Sequence, residues 1–358
     1  MHLDSDHVRF FDASGSRHEL LGGKCASLVT MTAAGLPVPP GFAVPTVSYD
    51  AFVAQAGIRD QIRSRLACLD PDDVDEVDSV SAAIRDLITS RPVPERMRRS
   101  FLEAYRQLQA RFAAPVPVAV RSSATAEDLS TASFAGQQDT YLWLTSGEDV
   151  VRHIRECWAS LYTSRAIIYR LRNAVSDEGL SMSVAVQKMV NARVSGVAIT
   201  MNPATGDRSK IALDASYGVG EMVVSGRVTP DSILLDKVML TVTAEIIGEK
   251  HAELVPDTAT GRLVERAVDE QRRRRRSLTD DEVVAVAAMA KRAERLFGCP
   301  QDIEWAFDAD LPDGRNLLLL QSRPETVHSS RPAVRRAVAT SATPRVDFLL
   351  GLTNRTAS

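Results

Sequence analysis

VAVRSSATAEDLSTASFAGQQDT, Val118 to Thr140, opens like a buried strand and then changes character. Val118, Ala119 and Val120 follow a proline, and the residues after them are nearly all small or polar. Arg121 stands at the expected end of the strand. Ordinary connections are much shorter, and a long stretch without structure of its own is usually functional or disordered. Small side chains let a backbone approach a ligand closely, and Ser and Thr hydroxyls and main-chain amides supply donors. The segment reads either as a mobile cover over a polyphosphate, rooted at Arg121, or as an ordinary surface loop.

Around this segment lies a chain of 358 residues, enough for two lobes or two domains. Hydrophobic residues at 44% and charged residues at 25% are ordinary for a folded soluble protein. The net charge of −3 gives no positive field for nucleic acid, and the sparse aromatics are not interleaved with basic residues as a base-stacking surface needs. Cys25, Cys68, Cys157 and Cys299 are far apart and show no metal-ligand spacing. Free thiols in a cytoplasmic protein are the simpler reading. The polar start MHLDSDHVRF is no signal peptide, and no apolar run reaches membrane-spanning length, so no membrane is expected.

Before the opening stretch, residues 18 to 36 read as a glycine turn and a helix, followed by the proline-rich PVPPGFAVP and a helical region from Tyr49 to about Leu108. Beyond it, Ser146 caps an amphipathic helix with Glu148 and Asp149 in its first turn. After Leu180 the period changes to strands: MSVAVQKMV, SGVAIT, KIALDAS, DSILLD and LTVTAEIIG. Thr279 and Glu282 form a capping box for a helix running to about Phe297, and DIEWAFD and NLLLLQSRP are the last two strands. The expected fold is α+β, two lobes facing a cleft: an N-terminal lobe over 1–185, a C-terminal lobe over 186–327, and a tail or linker over 328–358.

Three places carry charge where chemistry could use it. Ile303, Trp305 and Phe307 alternate with Glu304 and Asp308, so Glu304 faces away from the core. Gln321 and Arg323 share a face of the next strand, and a hairpin through ADLPDGR brings Glu304 close to Gln321, within a residue of register. Oxygen ligands suit a hard cation such as Mg²⁺, and Arg suits phosphate. By pattern alone, however, a half-exposed hairpin with a salt bridge is the favoured reading. LGGKCASL places two glycines and Lys24 before a helix, where amides and an ammonium can meet a phosphate. It lacks the GxxxxGK[ST] spacing, and alone it reads as a plain helix start. The run of arginines at 272–276 reads as a solvated linker, and His153 as structural.

Together the segments resemble one family: the ATP-binding, ATP-grasp-type N-terminal domain of phosphoenolpyruvate synthase, pyruvate phosphate dikinase and rifamycin phosphotransferase. The resemblance rests on LGGKCASL with GLPVPPGFAV, VAVRSSATAEDLSTASFAGQQDT, VAVQKMV with SGVAITMNPATGD, ASYGVGEMVVSGRVTPD, and DIEWAFD with LLLLQSRPET, in that order from about residue 20 to 326. It implies that Lys24 and Arg121 contact the phosphates, and that Ser133, Phe134, Ala135, Gly136 and Gln137 close over the triphosphate. It implies a hinge meeting adenine at Gln187, Lys188, Met189 and Val190, and Mg²⁺ held by Glu304 and Gln321. Arg323 meets phosphate, so Lys24, Arg121 and Arg323 are the expected catalytic cations, while Glu221 and Asp231 help shape the cleft.

The family's chemistry, as implied, passes the β-phosphoryl of ATP to a histidine on a swivelling domain through a pyrophosphoryl-histidine, releasing AMP and phosphate. Such transfer is mainly positioning and charge neutralisation. No threonine-serine-histidine acceptor segment is found here, and His328 lies too close to the nucleotide domain to serve. The expectation is an ATP subunit like that of phenylphosphate synthase, or a piece of a longer enzyme, with the acceptor histidine on a separate domain or protein and the final small-molecule acceptor undefined. The alternatives are a nucleotide-sensing module without turnover and an ATP-grasp ligase that makes an acyl phosphate.

Overall fold

The computed structural model describes residues 7–13, 20–124, 139–175, 179–257, 259–326 and 328. The SFAGQ segment and all of the expected tail except His328 lie outside these residues.

One sheet is built from β1 (Arg9–Phe10), β2 (Gly41–Val44), β3 (Val118–Ala124), β4 (Thr140–Leu144) and β5 (Met182–Lys188) in the order β1-β2-β5-β3-β4, every neighbouring pair antiparallel. Seven helices accompany it among the described residues: α1 (Gly23–Ala33), α2 (Thr46–Ala56), α3 (Arg59–Leu66), α4 (Val74–Thr89), α5 (Glu95–Gln109), α6 (Gly147–Ala159) and α7 (Ser164–Arg172). Alternation splits the strand residues between two cores. Phe42, Val44, Val184 and Val186 join the helical core of α2 to α7, centred on Trp158 with Tyr49, Phe52 and Phe101 around it. The small Ala43 and Ala185 face the other way, against α1.

The second half forms β6 (Ala192–Ile199), β7 (Lys210–Tyr217), a short helix α8 (Glu221–Val224), β8 (Asp231–Asp236) and β9 (Val242–Ile246). A ribbon of β10 (Ala252–Asp257) and β11 (Arg262–Ala267) follows, then α9 (Glu270–Arg273), α10 (Asp280–Phe297), β12 (Gln301–Asp308) and β13 (Leu317–Pro324). The second sheet runs β13-β12-β6-β7-β8-β9, again antiparallel throughout. Its inner face, with Ile303, Trp305, Phe307, Leu213 and Ile233, packs on Val286, Ala290 and Ala293 of α10 and on Leu28 and Met31 of α1. Helix α1 thus shares one apolar core with both sheets. The capping box is present, Thr279 and Glu282 each bonding the other's backbone, and Gly298 ends α10 in the left-handed conformation.

Mixed helix and sheet agrees with the expected class. Three details correct the sequence reading. Strand β3 does not stop at Arg121 but runs to Ala124, because the buried Ser122 and Ser123 keep pairing with Val184 and Ser183 and their hydroxyls find partners. The position 185/186 lies inside β5, a strand paired on both edges, and the change of sheet comes between Lys188 and Ala192. The β10–β11 ribbon was not anticipated, since charged residues and Pro256 hide its alternation. No helix among the described residues is long and apolar enough to cross a membrane.

Gly22 shows how tightly α1 is seated. A Cβ at this position would lie 2.1 Å from the Ser123 carbonyl oxygen, a backbone atom that cannot swing aside. Gly22→Ala must push the start of α1 off β3 and is expected to cost about 1–3 kcal/mol. Urea denaturation provides the check, and wild-type stability in this variant would show that the contact is loose.

Candidate nucleotide site between the two sheets

The site grows from the start of α1. With no side chain on Gly22, the first turn lies against β3, where Cys25 N donates to Ser123 Oγ at 3.2 Å. Lys24 Nζ, one residue earlier, reaches the Ser122 carbonyl at 2.5 Å. A turn later, Ser27 Oγ donates to the Ser322 carbonyl of β13 at 2.8 Å, so the same helix end is fixed to both sheets.

Arg121, fourth of the seven residues of β3, points across to β12. Its Nη2 donates to Glu304 Oε2 at 2.5 Å, with the two side chains 12% and 24% exposed. Arg121 Nε is buried and has no partner among the described residues. The β12–β13 register places Gln321 directly opposite Glu304, as the hairpin argument requires, and Arg323 opposite Asp302. Arg323 grips Asp302 Oδ2 through Nε at 2.9 Å and Nη2 at 2.6 Å. The ladder is irregular between Glu304 and Trp305, which pair with Gln321 and Leu319 and leave Leu320 unopposed. Such a bulge bends the strand and re-aims the side chains beside it. Gln321 is 8% exposed, and its Oε1 has no hydrogen-bond partner among the described residues.

Lys24, Arg121, Glu304, Gln321 and Arg323 are therefore brought to one place, with Asp302 beside them. Asp302 was missed in the sequence, although it lies two before Glu304 and so on the same strand face. Burial works to raise the Glu304 carboxyl, but Arg121 outweighs it, with Lys24 and Arg323 adding, and the group is held below the usual carboxylate range. Asp302 is raised by its burial, an effect Arg323 offsets only in part. Glu221, in the first turn of α8, is also raised, by burial and then by Glu304, against the opposing pull of Arg121 and Arg227. These couplings put Glu221 within the electrostatic reach of the cluster.

The chemistry of this set is that of a charged phosphate chain and a hard cation. Buried amide oxygens without partners are costly, and an oxygen-seeking ion satisfies one at once. No group of three or more His, Cys, Asp or Glu side chains suited to a metal occurs among the described residues. Mg²⁺ fits the pairing of Glu304 with the unpartnered Gln321 Oε1, since it keeps few protein ligands and completes its shell with water and substrate phosphates.

The segment expected to meet adenine crosses between the sheets. Gln187 and Lys188 end β5, while Met189 and Val190 are buried in the link to β6. They share an apolar cluster with Ala119, Ala192, Ala306 and Leu318. Asp231, expected to help shape the cleft, has partners of its own. Its carboxylate is fully buried and is consumed by the Lys250 ammonium, Gly248 N at 3.0 Å, and Ser277 N and Oγ at 2.7 and 2.8 Å. The GRVTPD pattern around Asp231 carried no hint of this partner nineteen residues on.

Residues 18–342 match the family described as pyruvate phosphate dikinase, AMP/ATP-binding domain. The chain belongs to that family. Among relatives, it is 43% identical over 322 residues to a probable phosphoenolpyruvate synthase of Methanothermobacter thermautotrophicus, covering 89% of this chain and 46% of the relative. A probable phosphoenolpyruvate synthase of Staphylothermus marinus is 40% identical over 340 residues, with 89% and 41% covered. The phosphoenolpyruvate synthase of Pyrococcus furiosus is 39% identical over 355 residues, with 88% and 43% covered. The chain thus spans less than half the length of these curated relatives. Among solved structures, D-alanyl-alanine synthetase A of Vibrio cholerae covers 84% of this chain and 54% of its own at 10% identity and a TM-score of 0.27, too slight a likeness to bear on the fold.

The Asp231–Lys250 pair sets a stability test separate from ligand chemistry. Lys250→Met leaves a carboxylate buried without its cation, at an expected cost of roughly 3–5 kcal/mol. Equilibrium unfolding of this variant within about 1 kcal/mol of wild type would mean that the pair is dispensable.

Proposed function

We propose that this chain grips Mg–ATP between its two sheets in the manner of an ATP-grasp domain, each sheet with its helices forming one lobe, joined by the link 189–191 rather than divided at 185/186. It hands the β-phosphoryl group to a histidine on a separate domain or protein, with AMP and phosphate released. The observation that carries this reading is the meeting of Lys24 and Arg121 from one sheet's side with Glu304, Gln321 and Arg323 from the other.

Lys24, Arg121 and Arg323 hold the phosphate chain, as ammonium and guanidinium groups bind phosphate strongly and Arg does so through two donors. Glu304 and Gln321 hold the ion with one carboxylate and one amide oxygen. Mg²⁺ held there would supply charge neutralisation for phosphoryl transfer. The base lies along Gln187, Lys188, Met189 and Val190, against their apolar cluster. Ser133, Phe134, Ala135, Gly136 and Gln137, which lie outside the described residues, remain the expected cover of the triphosphate. Arg121 exchanges the Glu304 carboxylate for phosphate when the nucleotide arrives, and Glu304 is thereby released to the ion. The relatives are matched over 41–46% of their length, which leaves room in them for a part that carries the acceptor histidine.

The isolated chain should hydrolyse ATP slowly at most, and a histidine-bearing partner should bring rapid AMP formation. With ATP labelled in the β-phosphate, AMP and label on the partner's histidine are the expected products. Arg121→Ala and Glu304→Gln, which remove a phosphate contact and the metal-neutralising charge, should each suppress this by at least about a hundredfold. ADP in place of AMP would favour an acyl-phosphate-forming ligase, and tight binding without turnover beside any partner would favour a sensor.

A further inference from the structure

The link between the sheets is tied down on both sides. On the first sheet, Lys188 N donates to the Pro40 carbonyl at 2.9 Å and Met189 N to the Pro117 carbonyl at 2.9 Å. On the second, the Lys188 ammonium lies 3.0 Å from Asp308 Oδ2, and that carboxylate is completely buried. Asp308 Oδ1 meanwhile accepts from Asp310 N at 3.0 Å, fixing the turn after β12. Asn191 repeats the pattern: its carbonyl accepts from Ala309 N at 2.8 Å and its amide donates to Asp310 Oδ1 at 2.9 Å.

Asp308 and Glu304 belong to the same strand, four residues apart, or about 13 Å along it. A strand hydrogen-bonded on both edges moves as one piece, so a displacement at Asp308 is carried to Glu304. By the alternation of β12, Asp308 shares the face of Glu304 and Ala306, and there it is buried against Lys188, as Ala306 is against Met189 and Val190.

We propose that Asp308 is a positioning residue: its ion pair with Lys188 sets the separation between the base-binding segment and the hairpin that carries Glu304 and Gln321, so that base and phosphate chain are engaged together. The proposal rests on the nucleotide reading given above. A neutral side chain here would pack without fixing the Lys188 ammonium, and with it the end of β5, against the second sheet.

The test is calorimetric titration of the full chain with Mg–ATP and with Mg–tripolyphosphate, which offers the phosphate chain without the base. Asp308→Asn keeps the side chain's shape and the bond from Asp310 N but removes the charge. It is expected to weaken Mg–ATP about tenfold to a hundredfold, as misplacement of about an ångström does in other sites, and tripolyphosphate, which need not reach the base segment, by a clearly smaller factor. In a Lys188→Met background the same substitution should add little further loss, since coupled residues are not additive. Equal losses for both ligands, or an unchanged preference for ATP, would overturn the positioning role. A wild-type chain that binds ATP no better than tripolyphosphate would instead overturn the base-site reading beneath it.

Discussion

The ion pair between Arg121 and Glu304 is the contact on which the site depends. It joins the middle of a strand in one sheet to the middle of a strand in the other, and both groups are largely removed from water. Charges so placed must be paired, because an unpaired one costs several kcal/mol, on the order of 3–5 when a partner is deleted. The two sheets are therefore held at the separation that lets guanidinium meet carboxylate. That partner is also what a phosphate resembles. An incoming anion can take the place of Glu304 on Arg121 with little net change in pairing, and the freed carboxylate then needs a cation. On the proposed reading, one contact both joins the two sheets and prepares Arg121 and Glu304 to receive a nucleotide and an ion.

The surrounding structure serves this geometry. Gly22 allows α1 to lie against β3, which brings Lys24 to the same strand as Arg121. Ser27 fixes that helix end to β13, the strand of Gln321 and Arg323. The bulge beside Glu304 sets the aim of the hairpin's polar residues, and Asp302 holds Arg323 at its edge. The link from Lys188 to Asn191 is clamped to both sheets at the far end of β12. Away from the site, the buried Asp231–Lys250 pair and Ser277 tie the start of β8 to the segment before α10.

Much of this was legible in the sequence because it is local. The alternation of Ile303, Trp305 and Phe307 set the face of Glu304, and ADLPDGR set the turn that placed Gln321 opposite it. Caps at Ser146 and Thr279 follow from short-range hydrogen bonding, and both formed as expected. What escaped depends on distant partners. Arg121 was put at a strand end because two serines look like loop, yet their burial is made possible by α1 and by Asp139. The pairing of Asp231 with Lys250 is of the same kind, with no signal in the residues around either. The burial of Asp308 depends on the link between the sheets covering the face it shares with Ala306, which no pattern of residue types announces.

The pairing exchange is tested most directly by nucleotide affinity with and without metal. In the wild type, ATP in the presence of a chelator must compete with Glu304 for Arg121. Glu304→Gln removes that competitor and the ligand charge for the ion together. The account predicts that the variant binds metal-free ATP more tightly than the wild type and gains little when Mg²⁺ is added. A variant whose metal-free affinity equals or falls below that of the wild type would contradict it.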